Sequence, residues 1–234
     1  MIAQDRILGL VPAAGGGARL GLGPKAALML NGRTLAARAV AALNGLCGTV
    51  VVALPDGVSL ADLPPGTLTT FGGNTRQDSV ESLLQIAGED FDLVLVHDAA
   101  RPFLPAGVLR AVAEAALQVG AATATLEVAD TLVRAGAENA STGEPLQSRV
   151  GLVDRTALFA VQTPQGFRRG VLNFAHRLAR ERGLVGTDDA GLVSASGARV
   201  ALVPGDARLF KVTTPGDWAL AEAFAPAWDA EGGL

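Results

Sequence analysis

The amino-acid sequence predicts an α/β fold of three layers, with a mainly parallel, twisted sheet covered by helices on both faces. Short apolar runs alternate with stretches whose apolar residues recur at helical spacing, along nearly the whole chain. A polar, glycine-containing stretch at residues 130–159 breaks this rhythm and predicts a protruding β-hairpin arm. We expect one domain over residues 1–234 and an arm used for dimerisation, because two strands alone bury too little apolar surface.

The part of the chain before the arm is expected to alternate strands and helices. Each strand is a short run rich in valine, leucine or alanine, bounded by polar or glycine residues. Each helix carries apolar residues on one face, and Pro105 suits a first helical turn. The predicted strands are Ile7–Val11, Thr49–Leu54, Thr67–Phe71, Phe91–Val96 and Ala121–Val128, and the predicted helices are Thr34–Leu43, Thr75–Ile86 and Pro105–Val119.

The arm and the part after it are predicted from similar signals. Two β-like segments, Thr131–Arg134 and Gln147–Val153, flank a polar tip. The tail after Phe224 contains alanine, tryptophan and glycine, and is expected to be loosely ordered. The remaining predicted elements are a helix at about Arg168–Arg182, a helix begun by Thr187–Asp189, strands at Val200–Val203 and Phe210–Val212, and a last helix at Pro215–Phe224.

The composition excludes several classes of protein. A hydrophobic content of 49% and a mean hydropathy of +0.34 indicate a packed core, but no apolar run reaches the ~18 residues that a membrane span needs. The N-terminus leads directly into a strand without a signal-peptide pattern, so we expect a cytoplasmic protein with no membrane partner. A net charge of −4 disfavours nucleic-acid binding. The one cysteine, Cys47, lies in an apolar stretch and is interpreted as a core residue.

Lysine is rare in this chain: seventeen of the 19 basic residues are arginine, and the two lysines are Lys25 and Lys211. A genomic preference for arginine is the simplest explanation, in which case the two lysines survived by chance. Both, however, lie beside glycine, proline or threonine residues of the kind that surround phosphates. A compact ammonium fits where a wide, planar guanidinium does not. The positions of the lysines therefore favour a polyanionic ligand.

The residues from Pro12 to Lys25, which follow the first strand, form a glycine-rich segment that ends in Pro24-Lys25. Its glycines allow several backbone N–H groups to face one anion, and Arg19 and Lys25 add positive charge; an ordinary strand-to-helix turn is the alternative. The dinucleotide-binding GxGxxG pattern needs glycine where Leu20 stands, and the P-loop needs serine or threonine where Ala26 stands. A nucleotide-binding loop of another kind is predicted, and a plain NAD-binding protein is disfavoured.

Several motifs together carry a family resemblance. The glycine-rich segment with Pro24-Lys25 resembles the signature of sugar nucleotidyltransferases, and the segment His97–Pro102, His-Asp-Ala-Ala-Arg-Pro, narrows the resemblance to the 2-C-methyl-D-erythritol 4-phosphate cytidylyltransferase family. The similarity spans Ile7 to about Phe224, and the order and spacing of the motifs make it specific. The further matching segments are Gly72–Val80, Asp130–Thr131, Val153–Arg155, Gln162–Gln165, Thr187–Ala190 and Lys211–Thr213.

The resemblance implies a Rossmann-like sheet of the nucleotide-diphospho-sugar transferase type and an enzyme of the non-mevalonate isoprenoid pathway. Such an enzyme converts CTP and 2-C-methyl-D-erythritol 4-phosphate to 4-CDP-2-C-methyl-D-erythritol and pyrophosphate. The resemblance also implies a homodimer formed through the arm, and Mg²⁺ or another divalent cation held by the CTP phosphates rather than by protein side chains. The attacking group is a phosphate monoester, whose second pKa of ~6 leaves it ionised at neutral pH. No general base is needed, which agrees with the lack of a Ser-His-Asp pattern.

The same resemblance assigns the candidate site residues. Arg19 and Lys25 are expected to be catalytic, by neutralising charge on the α-phosphate and on the leaving pyrophosphate. The expected CTP-binding residues are Pro12, Ala13, Ala14, Gly15, Gly16, Gly17, Arg19, Lys25, Gly72, Gly73, Asn74, Ser79, Asp98 and Ala99. The expected residues for the substrate phosphate and polyol are Asp98, Arg101, Thr131, Arg155, Thr187 and Lys211, of which Thr131 and Arg155 would serve the neighbouring subunit's site.

Simpler roles are open to some of these residues. Asp98 either accepts hydrogen bonds from ligand hydroxyls at a strand end or caps the following turn. His97 is interpreted as a structural hydrogen-bonding residue rather than an acid or base, and Arg76 as a support for its loop. The simpler alternatives for the others are a solvated charge for Arg155, a strand residue for Thr131 and an ordinary helix residue for Ser79.

Two other functions stay open from the residues alone. A cytidylyltransferase for ribitol 5-phosphate would differ only around the polyol pocket. A non-catalytic nucleotide-binding module is disfavoured because Arg19 and Lys25 place more charge in one loop than passive binding needs. The chain departs from the family's commonest form in a loop one residue shorter between these two residues, and at Asn74, Ser194 and Leu209.

Overall fold

The computed structural model describes residues 2–17, 20–139 and 145–232, so the middle of the predicted arm tip, residues 140–144, lies outside the described residues. No helix in this part of the chain is long and apolar enough to cross a membrane. Its strands are β1 (Ile7–Pro12), β2 (Met29–Leu30), β3 (Arg33–Thr34), β4 (Thr49–Leu54), β5 (Leu68–Phe71), β6 (Leu93–Val96), β7 (Ala121–Glu127), β8 (Leu132–Asn139), β9 (Pro145–Val153), β10 (Phe159–Arg168) and β11 (Ala201–Pro204). Its α-helices are α1 (Leu35–Asn44), α2 (Arg76–Ala87), α3 (Ala106–Val119), α4 (Arg169–Arg182), α5 (Asp189–Ala195) and α6 (Pro215–Ala230).

A seven-stranded sheet forms the centre of the fold, in the order β11-β7-β10-β6-β1-β4-β5. The pairs β1–β4, β1–β6, β4–β5 and β7–β11 are parallel, whereas β10 runs antiparallel to both β6 and β7. The prediction of a mainly parallel sheet is therefore confirmed.

Alternate residues of the central strand β1 face opposite layers of helices. Ile7 and Val11 pack in the cluster formed with α1 and α3, and Leu8 and Leu10 pack with α2, α4 and α5. Between them, a Cβ on Gly9 would lie 3.1 Å from the Sγ of Cys47, so the glycine permits close packing at this point. Cys47 is buried in this cluster, as predicted. The helices cover both faces of the sheet.

Strand β10 was not predicted, because polar residues interrupt its apolar pattern. Gln165 would be costly to bury in a sheet without hydrogen-bond partners. The fold supplies them: Gln165 Nε2 donates to Thr123 Oγ1 at 3.1 Å and to Asp188 Oδ2 at 2.6 Å, and Oε1 accepts from the Ala190 N–H at 3.1 Å. These partners are distant in sequence, and local periodicity does not reveal them.

The end of the chain corrects the prediction of a loosely ordered tail after Phe224. Helix α6 continues to its end at residue 230, because its side chains find partners elsewhere in the fold. The rings of Phe224 and Trp228 pack on Phe103, with centroid distances of 4.9 and 5.7 Å. Asp229 pairs with the fully buried Arg38, with Oδ2 2.6 Å from Nη2.

The short strand predicted at Phe210–Val212 is wrong. This segment follows a 3₁₀ turn at Ala207–Leu209 and belongs to no described strand. The Val212 N–H donates to the carbonyl of Ala100 at 2.8 Å, and Ala100 lies in a loop rather than in a strand. This single backbone hydrogen bond fixes the position of the segment but does not form the repeated pairing of a β-sheet.

The predicted hairpin arm is present, and its strands β8 and β9 are longer than predicted. They pair antiparallel in a separate two-stranded sheet, with Leu132 opposite Val153 and Val133 opposite Leu152. Three apolar side chains of the arm, Val133, Val150 and Leu152, are 46%, 68% and 64% exposed. The arm therefore presents apolar surface that its own chain does not bury.

A second small hairpin, β2–β3, was not predicted. Its turn consists of Asn31 and Gly32, with φ angles of +48° and +80°. Asn-Gly is a strong signal for a two-residue hairpin turn in which both residues have positive φ. This dipeptide could have revealed the hairpin.

Candidate active site

A cleft of about 450 Å³ lies at the C-terminal ends of the central strands β1 and β6. Ligands of open α/β sheets bind at this edge. All described residues of the predicted CTP set except Gly72 line it, and of the predicted polyol phosphate set only Asp98 and Lys211 do. The lining residues are Pro12, Ala13, Ala14, Gly15, Gly16, Gly17, Lys25, Ala26, Gly73, Asn74, Thr75, Arg76, Ser79, Asp98, Ala99, Ala100 and Lys211.

The glycine-rich segment forms one wall of the cleft. Gly17 has a φ of +68°, and a Cβ there would lie 2.2 Å from the carbonyl oxygen of Gly23. Glycine is therefore required at this position by both backbone conformation and space. Ala18 and Arg19 lie outside the described residues, so the role of Arg19 stays a prediction.

The two lysines lie in the same cleft although they are far apart in sequence. Lys25 Nζ donates to the carbonyl of Val212 at 2.9 Å. Lys211, which precedes Val212 in the chain, places its Nζ 2.7 Å from Asp98 Oδ2. The contact of Lys25 thus ties the glycine-rich wall to the segment that carries Lys211. Two compact cations face one space, which suits a ligand with several phosphate groups.

Asp98 is the one carboxylate among the described lining residues, and cations hold it on both sides. Its Oδ2 pairs with Lys211, and its Oδ1 lies 3.3 Å from Arg76 Nε. Burial alone would raise the pKa of Asp98, but Arg76 and Lys211 lower this pKa well below its ordinary value. Asp98 is therefore ionised at neutral pH, and its oxygens face cations rather than the backbone N–H groups that a cap would bind.

His97 has the structural role that the sequence suggested. Its side chain is fully buried, Nε2 donates to the Arg101 carbonyl at 3.0 Å, and Nδ1 lies 3.1 Å from Thr163 Oγ1. The Asp98 N–H donates to the same Thr163 oxygen, so the hydroxyl proton is available for Nδ1. Burial lowers the pKa of His97 to about 4. A neutral imidazole therefore braces the loop after β6 and does not face the cleft.

Replacing His97 by glutamine is expected to make the free energy of unfolding fall less steeply as the pH is lowered through mild acid. The pKa of His97 is about 4 in the fold and 6.5 ordinarily, so the unfolded chain takes up this proton first as the pH falls. The contribution to stability is complete above pH 6.5 and is lost towards pH 4, by about 1.4 kcal/mol per pH unit. Urea unfolding of both proteins between these pH values measures the difference in slope. Equal slopes would contradict a buried, neutral His97.

Ser79 and its neighbours shape the wall opposite the glycine-rich segment. Ser79 Oγ accepts from the Gly73 N–H at 3.1 Å and donates to the Thr75 carbonyl at 2.9 Å. A Cβ on Gly72 would lie 2.1 Å from the Cβ of Ala14, so Gly72 lets the two walls approach although it does not line the cleft. The two walls therefore meet closely beside the cleft.

Four predicted polyol-site residues do not line the cleft of this chain. The guanidinium of Arg101 donates to the Leu209 carbonyl at 2.5 Å and braces the segment before Lys211. Thr187 is exposed just before α5. Thr131 and Arg155 are exposed at the base of the arm, where the Arg155 guanidinium donates to the Ala129 carbonyl.

Arg76 has contacts beyond the loop that the sequence predicts it to support. It lines the cleft and contacts Asp98 there. It is the first residue of α2, after the N-cap Thr75, whose capping box with Asp78 fixes the start of the helix. The Thr-Arg-Gln-Asp pattern predicts the capping box, and thus the helix end at which Arg76 lies. It does not predict the partners of the Arg76 side chain.

Comparison with known proteins extends these observations. The family model described as 2-C-methyl-D-erythritol 4-phosphate cytidylyltransferase matches residues 7–226. A protein of that name from Deinococcus radiodurans is 54% identical over 94% of this chain and 90% of its own length. The crystal structure of the Thermus thermophilus protein of that name has a TM-score of 0.78 at 45% identity, covering 93% of this chain and 98% of that chain. The Francisella tularensis structure has a TM-score of 0.77 at 26% identity, covering 94% and 99%.

Proposed function

Because the chain belongs to the 2-C-methyl-D-erythritol 4-phosphate cytidylyltransferase family, it is a nucleotidyltransferase of isoprenoid biosynthesis, and we propose that the cleft holds both of its substrates. The reaction joins CTP and methylerythritol phosphate to give 4-CDP-2-C-methyl-D-erythritol and pyrophosphate. The observation that carries the assignment to this cleft is the convergence of Lys25, Asp98 and Lys211 at the C-terminal edge of the sheet.

The reaction is an in-line displacement at phosphorus. An oxygen of the methylerythritol phosphate attacks the α-phosphorus of CTP, and the bond from that phosphorus to the bridging oxygen breaks. The bonding pair leaves with pyrophosphate, so no other reactant is required. The attacking phosphate is largely dianionic at neutral pH, since its second pKa is ~6, and no side chain has to remove a proton. The placement of the neutral His97 outside the cleft agrees with this mechanism.

The CTP side of the cleft is formed by the glycine-rich segment and the start of α2. Backbone N–H groups of the segment face the phosphates, and Lys25 neutralises charge that grows on the α-phosphate and pyrophosphate, together with Arg19. Gly73, Asn74 and Ser79 line the cleft, and they are proposed to form the slot for the cytosine ring. Because these side chains are small and the walls are close, the slot favours a pyrimidine over a purine.

The polyol phosphate binds on the side of Lys211 and Asp98. Lys211 pairs with a phosphate oxygen, and Asp98 accepts hydrogen bonds from hydroxyl groups of the substrate or of the ribose. Arg101 and Thr187 complete this side from neighbouring segments. Thr131 and Arg155 lie on the arm and do not line the cleft of their own chain. They are therefore proposed to reach the cleft of a second copy of the chain.

A Mg²⁺ ion or another divalent cation is proposed to bind through the phosphate oxygens of CTP. Among the described residues, no group of three His, Cys, Asp or Glu side chains is placed to hold a metal. Asp98 already pairs with two cations. This donor set fits an ion held mainly by phosphates and water, which Mg²⁺ favours. When bound, the ion would offset charge on the triphosphate.

The arm is proposed to form a homodimer. Val133, Val150 and Leu152 lie exposed on it, and Phe159 and Val161 continue the exposed apolar surface at its base, 39% and 48% exposed. A two-stranded hairpin with an apolar side is poorly stable alone and gains by packing against another surface. A second copy of the chain is the occupant that also brings Thr131 and Arg155 to a site.

Replacing Val150 and Leu152 together by aspartate is expected to convert the dimer to a monomer. Two charges in an apolar interface are costly to bury, and these positions are exposed in the single chain, so the fold itself should persist. Sizing by light scattering measures the mass. The matched control is Leu202 and Leu220, exposed residues outside the arm, replaced by aspartate. A monomeric parent protein, or an unchanged dimer in the arm variant, would contradict the proposal.

Assays with CTP and each polyol phosphate in turn test the substrate assignment. We expect turnover with 2-C-methyl-D-erythritol 4-phosphate, measured as pyrophosphate release, and much lower kcat/KM with ribitol 5-phosphate. Both reactions use CTP, so only the Lys211 side of the cleft can distinguish the methyl-branched polyol phosphate from the linear pentitol phosphate. Turnover of ribitol 5-phosphate alone would contradict the assignment.

A further inference from the structure

A chain of ionisable side chains leads away from the cleft, from Asp98 through Arg76 and Asp189. Arg76 places Nε 3.3 Å from Asp98 Oδ1 and Nη1 2.7 Å from Asp189 Oδ2. Asp189 Oδ1 lies 2.9 Å from His176 Nε2, and His176 Nδ1 lies 3.4 Å from Glu81 Oε1. One arginine therefore bridges the carboxylate of the cleft and a carboxylate buried behind it.

The carboxylate of Asp189 is not needed to begin its helix. Asp189 is the first residue of α5, but the neighbouring Asp188 is the N-cap and accepts the Gly191 N–H at 2.9 Å. The side chain of Asp189 is 1% exposed, and its oxygens contact Arg76 and His176. A buried carboxylate is costly unless it is well paired. Its contacts indicate that its role is to hold Arg76.

Sharing Arg76 between two carboxylates affects Asp98. Asp98 receives one contact from Arg76, at 3.3 Å, and a shorter one from Lys211, at 2.7 Å. An arginine with a single carboxylate partner frequently forms two parallel hydrogen bonds to it. Without the charge of Asp189, Arg76 would turn towards Asp98 and draw it away from Lys211. The cleft would then lose both a hydroxyl acceptor and the fixed position of its ammonium group.

We propose that Asp189 is a positioning residue for cytidylyl transfer, which by holding Arg76 keeps Asp98 and Lys211 placed for the polyol phosphate. This inference rests on the proposed function of the cleft. Asp189 does not line the cleft and touches no substrate. It acts through Arg76, which joins the start of α5 to the end of β6.

The substitution Asp189→Asn keeps the shape of the side chain and removes its charge. We expect kcat/KM for methylerythritol phosphate to fall about 10- to 100-fold, mainly through a higher KM, as for the loss of a charged hydrogen bond. The KM for CTP should change less than the KM for methylerythritol phosphate, because Asp189 acts through Arg76 on Asp98 and its partner Lys211. A lower kcat with both KM values unchanged would mean only a smaller folded fraction and would overturn the inference.

The matched control is Asp229→Asn, which removes the carboxylate partner of a different arginine. Arg38 is fully buried and pairs with Asp229 at 2.6 Å, and neither residue lines the cleft. We expect a lower melting temperature and unchanged KM values. If this variant gave the same rise in the KM for methylerythritol phosphate, Asp189 would have no specific role.

A double-mutant cycle tests whether Asp189 acts through Arg76. In the Arg76→Met background, Asp189→Asn should cause little further loss of kcat/KM, whereas multiplicative losses would overturn the inference. Should Asp189→Asn unfold at assay temperature, Arg76→Lys takes its place, because one ammonium cannot span both carboxylates. The parent protein separates the two levels. If it did not turn over CTP, the proposed function would fail, whereas an active parent with an unchanged KM in the variants overturns only this inference.

Discussion

Replacing Lys25 by methionine is expected to lower kcat about 100- to 1000-fold, the effect of removing one donor from a preorganised anion site. Lys25 is a compact cation in the glycine-rich wall, and charge grows on the α-phosphate and pyrophosphate as the reaction proceeds. Methionine keeps the length of the side chain and removes the charge. Steady-state rates with CTP varied at saturating methylerythritol phosphate measure the change. A loss in kcat as well as in CTP affinity separates catalysis from binding.

Two controls accompany the lysine substitution. Lys25 also donates to the carbonyl of Val212, so the melting temperature must be compared with that of the parent protein. Arg110→Met removes one exposed positive charge from α3, outside the cleft, and should leave the rate unchanged. A Lys25→Met variant that kept its kcat and only bound CTP more weakly would exclude a catalytic role.

Replacing Lys211 by methionine is expected to lower kcat/KM for methylerythritol phosphate about 100-fold, with a smaller effect on the KM for CTP. Lys211 is proposed to supply an ammonium to the polyol phosphate, and its Nζ lies 2.7 Å from Asp98 Oδ2. Loss of a charged hydrogen bond and of this placement together account for about 3 kcal/mol. Varying each substrate in turn separates the two KM values.

The contrast between the two lysines is the sharper test. Lys25→Met should act on CTP and turnover, and Lys211→Met on the polyol phosphate. Lys211→Arg keeps the charge, but its planar group is wider than the ammonium, so we expect only partial recovery. If both methionine variants changed the same KM by similar factors, the division of the cleft into two sides would be wrong.

Most helices and strands followed from local pattern, and the errors have a common cause. Strand β10 contains Gln165, which is tolerated in the sheet because Thr123, Asp188 and Ala190 satisfy its side chain. The end of α6 is ordered because Trp228 meets Phe103. In each case the deciding partner lies far away in the sequence, where a local pattern carries no signal.

In the candidate site, too, some features are indicated by the sequence and others depend on contacts between distant residues. The glycine-rich segment stands out by residue type and spacing, since glycine and proline act on their immediate neighbours, whereas the role of the Gly72–Ser79 segment is implied by the family resemblance. Arg101 is expected at a phosphate, which stays a prediction; in the single chain its guanidinium donates to the carbonyls of Leu209 and Val161. Arg76 was expected to support its loop, and it bridges Asp98 and Asp189.

The sequence by itself determined the α/β class, and it pointed to the glycine-rich loop and to the two rare lysines. These depend on hydrophobic period, backbone freedom and charge, which are properties of short segments. Only the tertiary structure decided that Lys25 and Lys211 meet across one cleft, with Asp98 between Lys211 and Arg76. Ion pairs and buried hydrogen bonds depend on distances between side chains, and folding alone brings residues so far apart in the chain within a few ångströms.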